Sequence, residues 1–362
     1  MSGDNGAHLG NTRHLVCLTL FIGFGLVAMV LSGCVADEAP PPTSIASSPT
    51  PEEESPSPTP TVTIVEVTPP LEEGLPRATL ADVSPGRYIA VCGYPQGNQR
   101  TMETRSLYLM TEDGTSIGRL FDGTCGGTEL LAGRSILAIK GYPNGDDLGP
   151  RVGLLDPRTD KKVWIDAGQR CYEPSWSQAV SRLAMICDFN VVTVDPDSQE
   201  QVLLADCLGR DRVCNDPQWS PDGKTVLFFM ATEFRPDPGI YTASGQCGDE
   251  PTACPADPEF LVKGTLPHAW APSGDVIAYV TFEGNIGIVD QFGRRVQEIK
   301  LPIDALVTSL AWSPGGDSMA ISMQQGESAD EIYLLSYPEG ELTQLSDTGF
   351  NNTVEFWVEV GQ

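Results

Sequence analysis

The sequence predicts an all-β fold, a six-bladed β-propeller of four-stranded antiparallel blades. The first observation behind this is the stretch Trp219-Ser220-Pro221-Asp222-Gly223, which runs into the apolar segment VLFFM (226–230). Proline pre-sets its φ, aspartate bonds nearby backbone and glycine accepts a positive φ. An aromatic before such a turn and a β-rich run after it read as two antiparallel strands. The second observation is repetition. Relatives of this unit stand at 174–187, 268–280, 310–322 and 355–362, and their tryptophans Trp176, Trp219, Trp270, Trp312 and Trp357 lie 43, 51, 42 and 45 residues apart. A period of about 45 is that of a four-stranded propeller blade. The third is that helical periodicity is absent throughout.

Taken in order, the chain begins with a targeting segment, residues 1–33. An apolar run of 17 residues (15–31) follows a short polar start and ends in Leu31-Ser32-Gly33-Cys34. This ending resembles the lipobox of bacterial lipoproteins, in which the cysteine takes a diacylglycerol and becomes the first residue after cleavage. By that resemblance Cys34 is the lipid attachment site, and the protein is anchored at the extracytoplasmic face of a bacterial cell membrane. Residues 34–76 form a linker rich in Pro, Ser, Thr and Glu, with eight acidic residues and no basic one. Such a segment buries too little apolar area to offset its ordering entropy and is expected to be disordered. A tether of about 40 residues reaches on the order of 40 Å as a coil and 120 Å as polyproline II. Within it TVTIVEV (61–67) reads as a strand that docks on the propeller edge, or joins the last strand to make a seventh blade.

From residue 77 to 362 the four-strand pattern repeats six times. Second strands are YIAVC (88–92), ILAIK (136–140), RLAMIC (182–187), VLFFM (226–230), VIAYV (276–280) and MAISM (319–323). Third strands are SLYLM (106–110), VGLLD (152–156), VVTVD (191–195), GIYTA (239–243), NIGIVD (285–290) and EIYLLS (331–336). The fourth are more polar: IGRLF (117–121), KKVWI (161–165), QVLLA (201–205), EFLVK (259–263), VQEIK (296–300) and ELTQL (341–345). Apolar middle strands with a polar outer one suit blades packed face to face.

Removing Cys17 of the leader and Cys34 from the ten cysteines leaves eight, an even number that in an exported chain points to disulfides. Cys207 and Cys214 flank one short loop, as do Cys247 and Cys254. Cys171 and Cys187 are equidistant from the turn at 179 and should face each other. That leaves Cys92 with Cys125. No pair has zinc-type spacing, so no metal is expected.

The WSPDG unit, the apolar strand after it and the IY- and LT-type strands that follow resemble the propeller repeats of TolB and its WD-repeat-like relatives, over roughly residues 77–362. Blade one keeps only Ser84-Pro85-Gly86, and blade two lacks the tryptophan unit. The resemblance implies six blades closed by a truncated last strand, here residues 355–362. The α/β amino-terminal domain of that family is replaced by the leader and linker, so a role in the Tol–Pal system is not carried over.

The formal charge of −27 repels phosphate backbones and argues against nucleic acid as a partner. Catalysis is not expected. His268, the only histidine after the leader, occupies a repeat position two before its tryptophan and reads as a packed residue. One imidazole builds neither a metal cluster nor a nucleophile–base pair, and no cofactor motif is present. The recurring tryptophans read as wedges between blades. The acids at 222, 275 and 317 are turn formers first. What remains is loop chemistry. Loops after the second and fourth strands share one rim of the disc, and there blades one and two both carry Gly-Tyr-Pro-x-Gly, at 93–97 and 141–145. Tyr94, Tyr142, Asp146 and Asp147 on these loops, with Phe234 and Arg235, form a candidate rim for an extracytoplasmic protein or glycan. The expected protein is a monomeric, non-catalytic binding scaffold. The alternative is an envelope glycan hydrolase or lyase that uses channel carboxylates.

Overall fold

Turn chemistry decides where the strands stop. In the stretch 219–225, Gly223 N donates to Ser220 O at 2.9 Å and Ser220 N to Thr225 O at 2.8 Å, with Gly223 at a φ of 70°. Asp222 accepts from Ser220 Oγ at 2.7 Å and from Lys224 N at 3.1 Å. Asp317 accepts from Ser313 Oγ at 2.7 Å, and Asp275 is bonded by Ser273. These acids organise their own turns. The Lys224 ammonium, 2.9 Å from Asp222 Oδ2, and then the Ser220 hydroxyl bring the Asp222 pKa down to about 2, and the Ser313 hydroxyl lowers that of Asp317.

A computed structural model of the chain describes residues 62–64, 75–93, 105–143, 149–166, 170–208, 212–232, 238–245, 257–302, 304–326 and 328–361. Every element among them is a strand. After β1 (Val62–Ile64) come β2 (Gly86–Gly93), β3 (Ser106–Met110) and β4 (Ser116–Asp122) of blade one. Blade two holds β5 (Glu129–Leu131), β6 (Ile136–Gly141), β7 (Arg151–Asp156) and β8 (Lys161–Trp164). Blade three holds β9 (Cys171–Ser177), β10 (Arg182–Cys187), β11 (Asn190–Val194) and β12 (Gln201–Ala205). Blade four holds β13 (Arg212–Trp219), β14 (Thr225–Thr232), β15 (Gly239–Ser244) and β16 (Glu259–Lys263). Blade five holds β17 (Thr265–Trp270), β18 (Val276–Val280), β19 (Ile286–Asp290) and β20 (Arg295–Ile299). Blade six holds β21 (Ala305–Trp312), β22 (Ser318–Gln325), β23 (Glu331–Ser336) and β24 (Leu342–Gln344). The last strand, β25 (Thr353–Val360), returns to become the innermost strand of blade one, in the order β25-β2-β3-β4.

Six antiparallel sheets result, and the predicted six-bladed architecture is the one observed. Among the described residues there is no seventh blade. Of the segment 61–67, Val62–Ile64 are described, and they add in parallel to the outer strand of blade six, opposite Leu342–Gln344.

The core is divided the same way. Six apolar clusters fill the six interfaces between neighbouring blades, for example Ala278, Ile286 and Ile288 of blade five against Leu310, Met319 and Ile321 of blade six. Trp176, Trp219 and Trp312 are buried in these wedges, while Trp270 and Trp357 pack at their edges. Leu130 takes the equivalent place in blade two. Three indoles also donate Nε1–H to the preceding blade, Trp176 to Ala132 O, Trp312 to Ala269 O and Trp357 to Ala311 O, at 3.3, 3.2 and 3.0 Å.

Disulfides join Cys92 to Cys125, Cys171 to Cys187 and Cys207 to Cys214. Cys171 faces Cys187 in register across β9 and β10. The other two each tie one blade to the start of the next.

Phe228 is fully buried between blades three and four. Phe228→Ala should therefore cost about 3–5 kcal/mol through lost burial and an unfilled cavity. Equilibrium unfolding in denaturant, compared with the parent protein, checks this.

Candidate functional site at the channel and its rim

The innermost strands β5, β9, β13, β17, β21 and β25 surround the axis, each touching the next around the ring. Five of the six inner pairings shift register partway along. The breaks fall at Ala184/Ile186, Asn215/Gln218, Thr265/His268, Val307/Ser309 and Ala90/Val91. A bulge of this kind bends the strand and takes one backbone group out of the ladder. Glu173 and Asp216 sit at bulges with φ of 53° and 52°, and Glu355 at another.

These acids reach across to the next blade. Glu173 Oε2 accepts from Asp216 N at 2.7 Å, and Glu355 Oε2 accepts from Thr128 N at 2.8 Å. Serines do the same elsewhere: Ser175 Oγ accepts from Trp219 N at 3.2 Å and Ser309 Oγ from Val354 N at 3.0 Å. Glu129, Glu173, Asp216 and Glu355 are each half-buried at the axis. Burial is the main cause that pushes their pKa values up, to about 8, 7, 6 and 8. Repulsion adds to it, from Glu355 and Asp216 on Glu129 and from Asp216 on Glu173. Lys140 and Arg105 offset it slightly at Glu173 and Glu355.

His268 is fully buried beside this group, with Nδ1 3.6 Å from Asp216 Oδ2 and no hydrogen bond to either ring nitrogen. Burial pulls its pKa down to about 3, so the ring is neutral. Among the described residues no group of three or more His, Cys, Asp or Glu is arranged to hold a metal ion.

The rim formed by loops after second and fourth strands carries exposed apolar side chains. Phe189 and Phe282 lie in the turns after the second strands of blades three and five, 40% and 56% exposed. Leu208 and Leu306 lie on the entries to blades four and six, 54% and 47% exposed. Phe189 adopts a φ of 65° after Asp188 at 47°, in a two-residue turn. That conformation disfavours a bulky residue. The turn is braced by Asn190 Oδ1, which accepts from Cys207 N at 2.8 Å and Leu208 N at 2.9 Å, and by Phe189 O, which accepts from Cys214 N at 3.2 Å.

Of the rim residues expected from sequence, Tyr142 is half-buried just after β6. Tyr94, Asp146, Asp147, Phe234 and Arg235 lie outside the described residues, as do Cys34 and the pair Cys247–Cys254. The channel acids were not singled out from sequence. Their signal is a carboxylate three residues before the tryptophan in Glu173/Trp176 and Asp216/Trp219, and two before it in Glu355/Trp357.

These features define an all-β ring of WD-repeat type. The family of the anaphase-promoting complex subunit 4 WD40 domain matches residues 268–355. The structure of TolB from Acinetobacter baumannii is similar at 17% identity and a TM-score of 0.53, over 75% of this chain and 66% of that one. The chain thus spans just under two thirds of that protein's length. A putative TolB from Agrobacterium tumefaciens (17% identity, TM-score 0.43, 54% of this chain and 69% of that one) matches more weakly. So does an oligogalacturonate lyase from Vibrio parahaemolyticus (14%, 0.44, 71% and 78%). No curated protein matches the sequence. The chain has the fold of a TolB-like, WD-repeat-like β-propeller.

The raised channel acids have a thermodynamic consequence. Unfolded, these carboxyls titrate near the ordinary 3.8–4.5; folded, they hold their protons up to about 6–8. Between those limits the folded state binds more protons, so the stability they contribute is full below about pH 4 and is lost as pH rises towards 8. His268, lowered from 6.5 to about 3, acts in the opposite sense below pH 6.5, one group against four. Stability should therefore decline from pH 5 to 8, and Glu355→Gln should flatten that decline. Denaturant midpoints across this range provide the measurement.

Proposed function

We propose that the protein is a non-catalytic extracytoplasmic binding module, held to the membrane through lipidated Cys34, that captures a protein or glycan on the rim bearing Phe189, Leu208, Phe282 and Leu306. The observation that supports it best is the exposure of four large apolar side chains on one rim, around an acid-lined channel. Rigid aromatic anchors over a desolvating surface are the usual source of interface affinity. Phe189 is held in a conformation its backbone disfavours, which fits a residue kept for recognition. The channel acids suit a partner that brings a cationic group to the axis, since each carboxylate there gains from a positive neighbour. The disulfides fit an oxidising compartment outside the cytoplasm.

A second reading rests on the same acids. Carboxyls titrating near 6–8 are matched to general acid–base work at neutral pH, as a glycan hydrolase or lyase requires. Their bonds to the next blade's backbone already explain their presence, so the binding reading is preferred.

Phe282 and Phe292 lie in the two opposite turns of blade five, both exposed. A photo-crosslinking residue in place of Phe282 in the full-length protein should label a partner on native membranes, and one in place of Phe292 should not. The double variant Phe189→Ser/Phe282→Ser should weaken that partner's affinity at least about tenfold. Equal labelling from both turns, or an unchanged affinity, rejects the rim. Turnover of envelope glycans that is lost in Glu355→Gln selects the enzyme reading instead.

A further inference from the structure

A propeller is a ring made from a linear chain, so one interface joins its two ends. Here that seam lies between blade six and blade one, because blade one takes β25 from the carboxyl end and β2, β3 and β4 from the amino end. From inside, the seam is held by β25, by Val354 N donating to Ser309 Oγ and Ser322 Oγ, and by Trp357.

The amino-terminal segment covers the same seam from outside. Val62–Ile64 adds as a fifth strand to the outer edge of blade six. Leu75, 2% exposed, is packed between Ile89, Tyr108 and Met110 of blade one and Ile332 and Leu345 of blade six. Pro76 to Ala78 then runs parallel to the outer strand of blade one. Ala78 N donates to Arg119 O and Arg119 N to Pro76 O, both at 2.8 Å, and Arg119 Nε donates to Leu75 O at 2.7 Å. Arg77 reaches on to Asp160 in blade two. Gly118 on that outer strand permits the approach: a Cβ there would stand 2.8 Å from Ala78 Cβ and 3.2 Å from Pro76 O.

An open sheet edge accepts an extended segment wherever its N–H and C=O groups are unpaired. Among the described residues the chain fills two of its six outer edges with its own backbone, and they are the two that flank the seam. A role confined to covering edges would not select that pair. We propose that residues 62–64 and 75–78 act as an external clasp on the ring, locking blade six to blade one, and that releasing it loosens these two blades selectively. Tension or proteolysis on the amino-terminal side of the propeller would thereby reach the closure itself. This inference does not depend on what the rim binds.

Hydrogen exchange followed by mass spectrometry on the full-length chain tests it with three variants. Thr63→Pro/Ile64→Pro removes the strand donors of either register and should speed exchange in Leu342–Gln344 at least about tenfold. Gly118→Val should expel Pro76–Ala78 and speed exchange in β4, while Leu75→Ala should speed it in β2 and β25. In all three, blades three and four should keep their parent rates. Unchanged rates at the seam in the proline variant and in Gly118→Val overturn the clasp. So does an acceleration spread evenly over all six blades.

Discussion

The structure depends on finding partners for backbone groups at its axis. Innermost strands crowd together there, and bulges relieve the crowding at the cost of taking N–H groups out of their own ladders. A buried donor left without an acceptor costs roughly 1–3 kcal/mol. The ring supplies acceptors from the neighbouring blade: Glu173 for Asp216 N, Glu355 for Thr128 N, Ser309 and Ser322 for Val354 N. Each such bond fastens one blade to the next. The apolar wedges behind the axis then set the spacing between blades, and the indole N–H bonds of Trp176, Trp312 and Trp357 repeat the same inter-blade logic further out.

This arrangement has an electrostatic consequence. A carboxylate placed to receive a backbone donor at the axis is surrounded by protein and by other carboxylates. Its charged form loses more hydration than the hydrogen bond returns, so the proton is retained to higher pH. The channel therefore combines structural necessity with titration near neutrality. The surface turns show the contrary case. Asp222 and Asp317 stay wet, accept several hydrogen bonds and titrate below the ordinary range. One residue type serves both purposes, and solvation separates them.

Much of the ring was legible from sequence because the blade repeat is local. A turn such as 219–225 is built from residues adjacent in the chain, and alternation marks the strands on either side. The fourth strands QVLLA (201–205) and EFLVK (259–263) begin and end in the structure where the apolar pattern places them. The facing of Cys171 and Cys187 followed from counting residues about a turn. The site was less legible. Glu129, Glu173, Asp216 and Glu355 are separated by long stretches of chain, and nothing in any one blade says that its acid will meet the backbone of the next. Leu208 likewise comes to the turn of Phe189 only in the folded ring, where its N–H donates to Asn190 Oδ1.

Sequence alone determined the all-β class, the blade period, the order of strands within each blade and the facing of Cys171 and Cys187, since each depends on contacts between residues close along the chain. Tertiary structure alone decided that residues 62–64 and 75–78 lie along the outer edges of blades six and one, and that four carboxyls share one axis. Ring closure brings together residues hundreds of positions apart, and both the pKa of a carboxyl and the exposure of a phenylalanine are set by those distant neighbours.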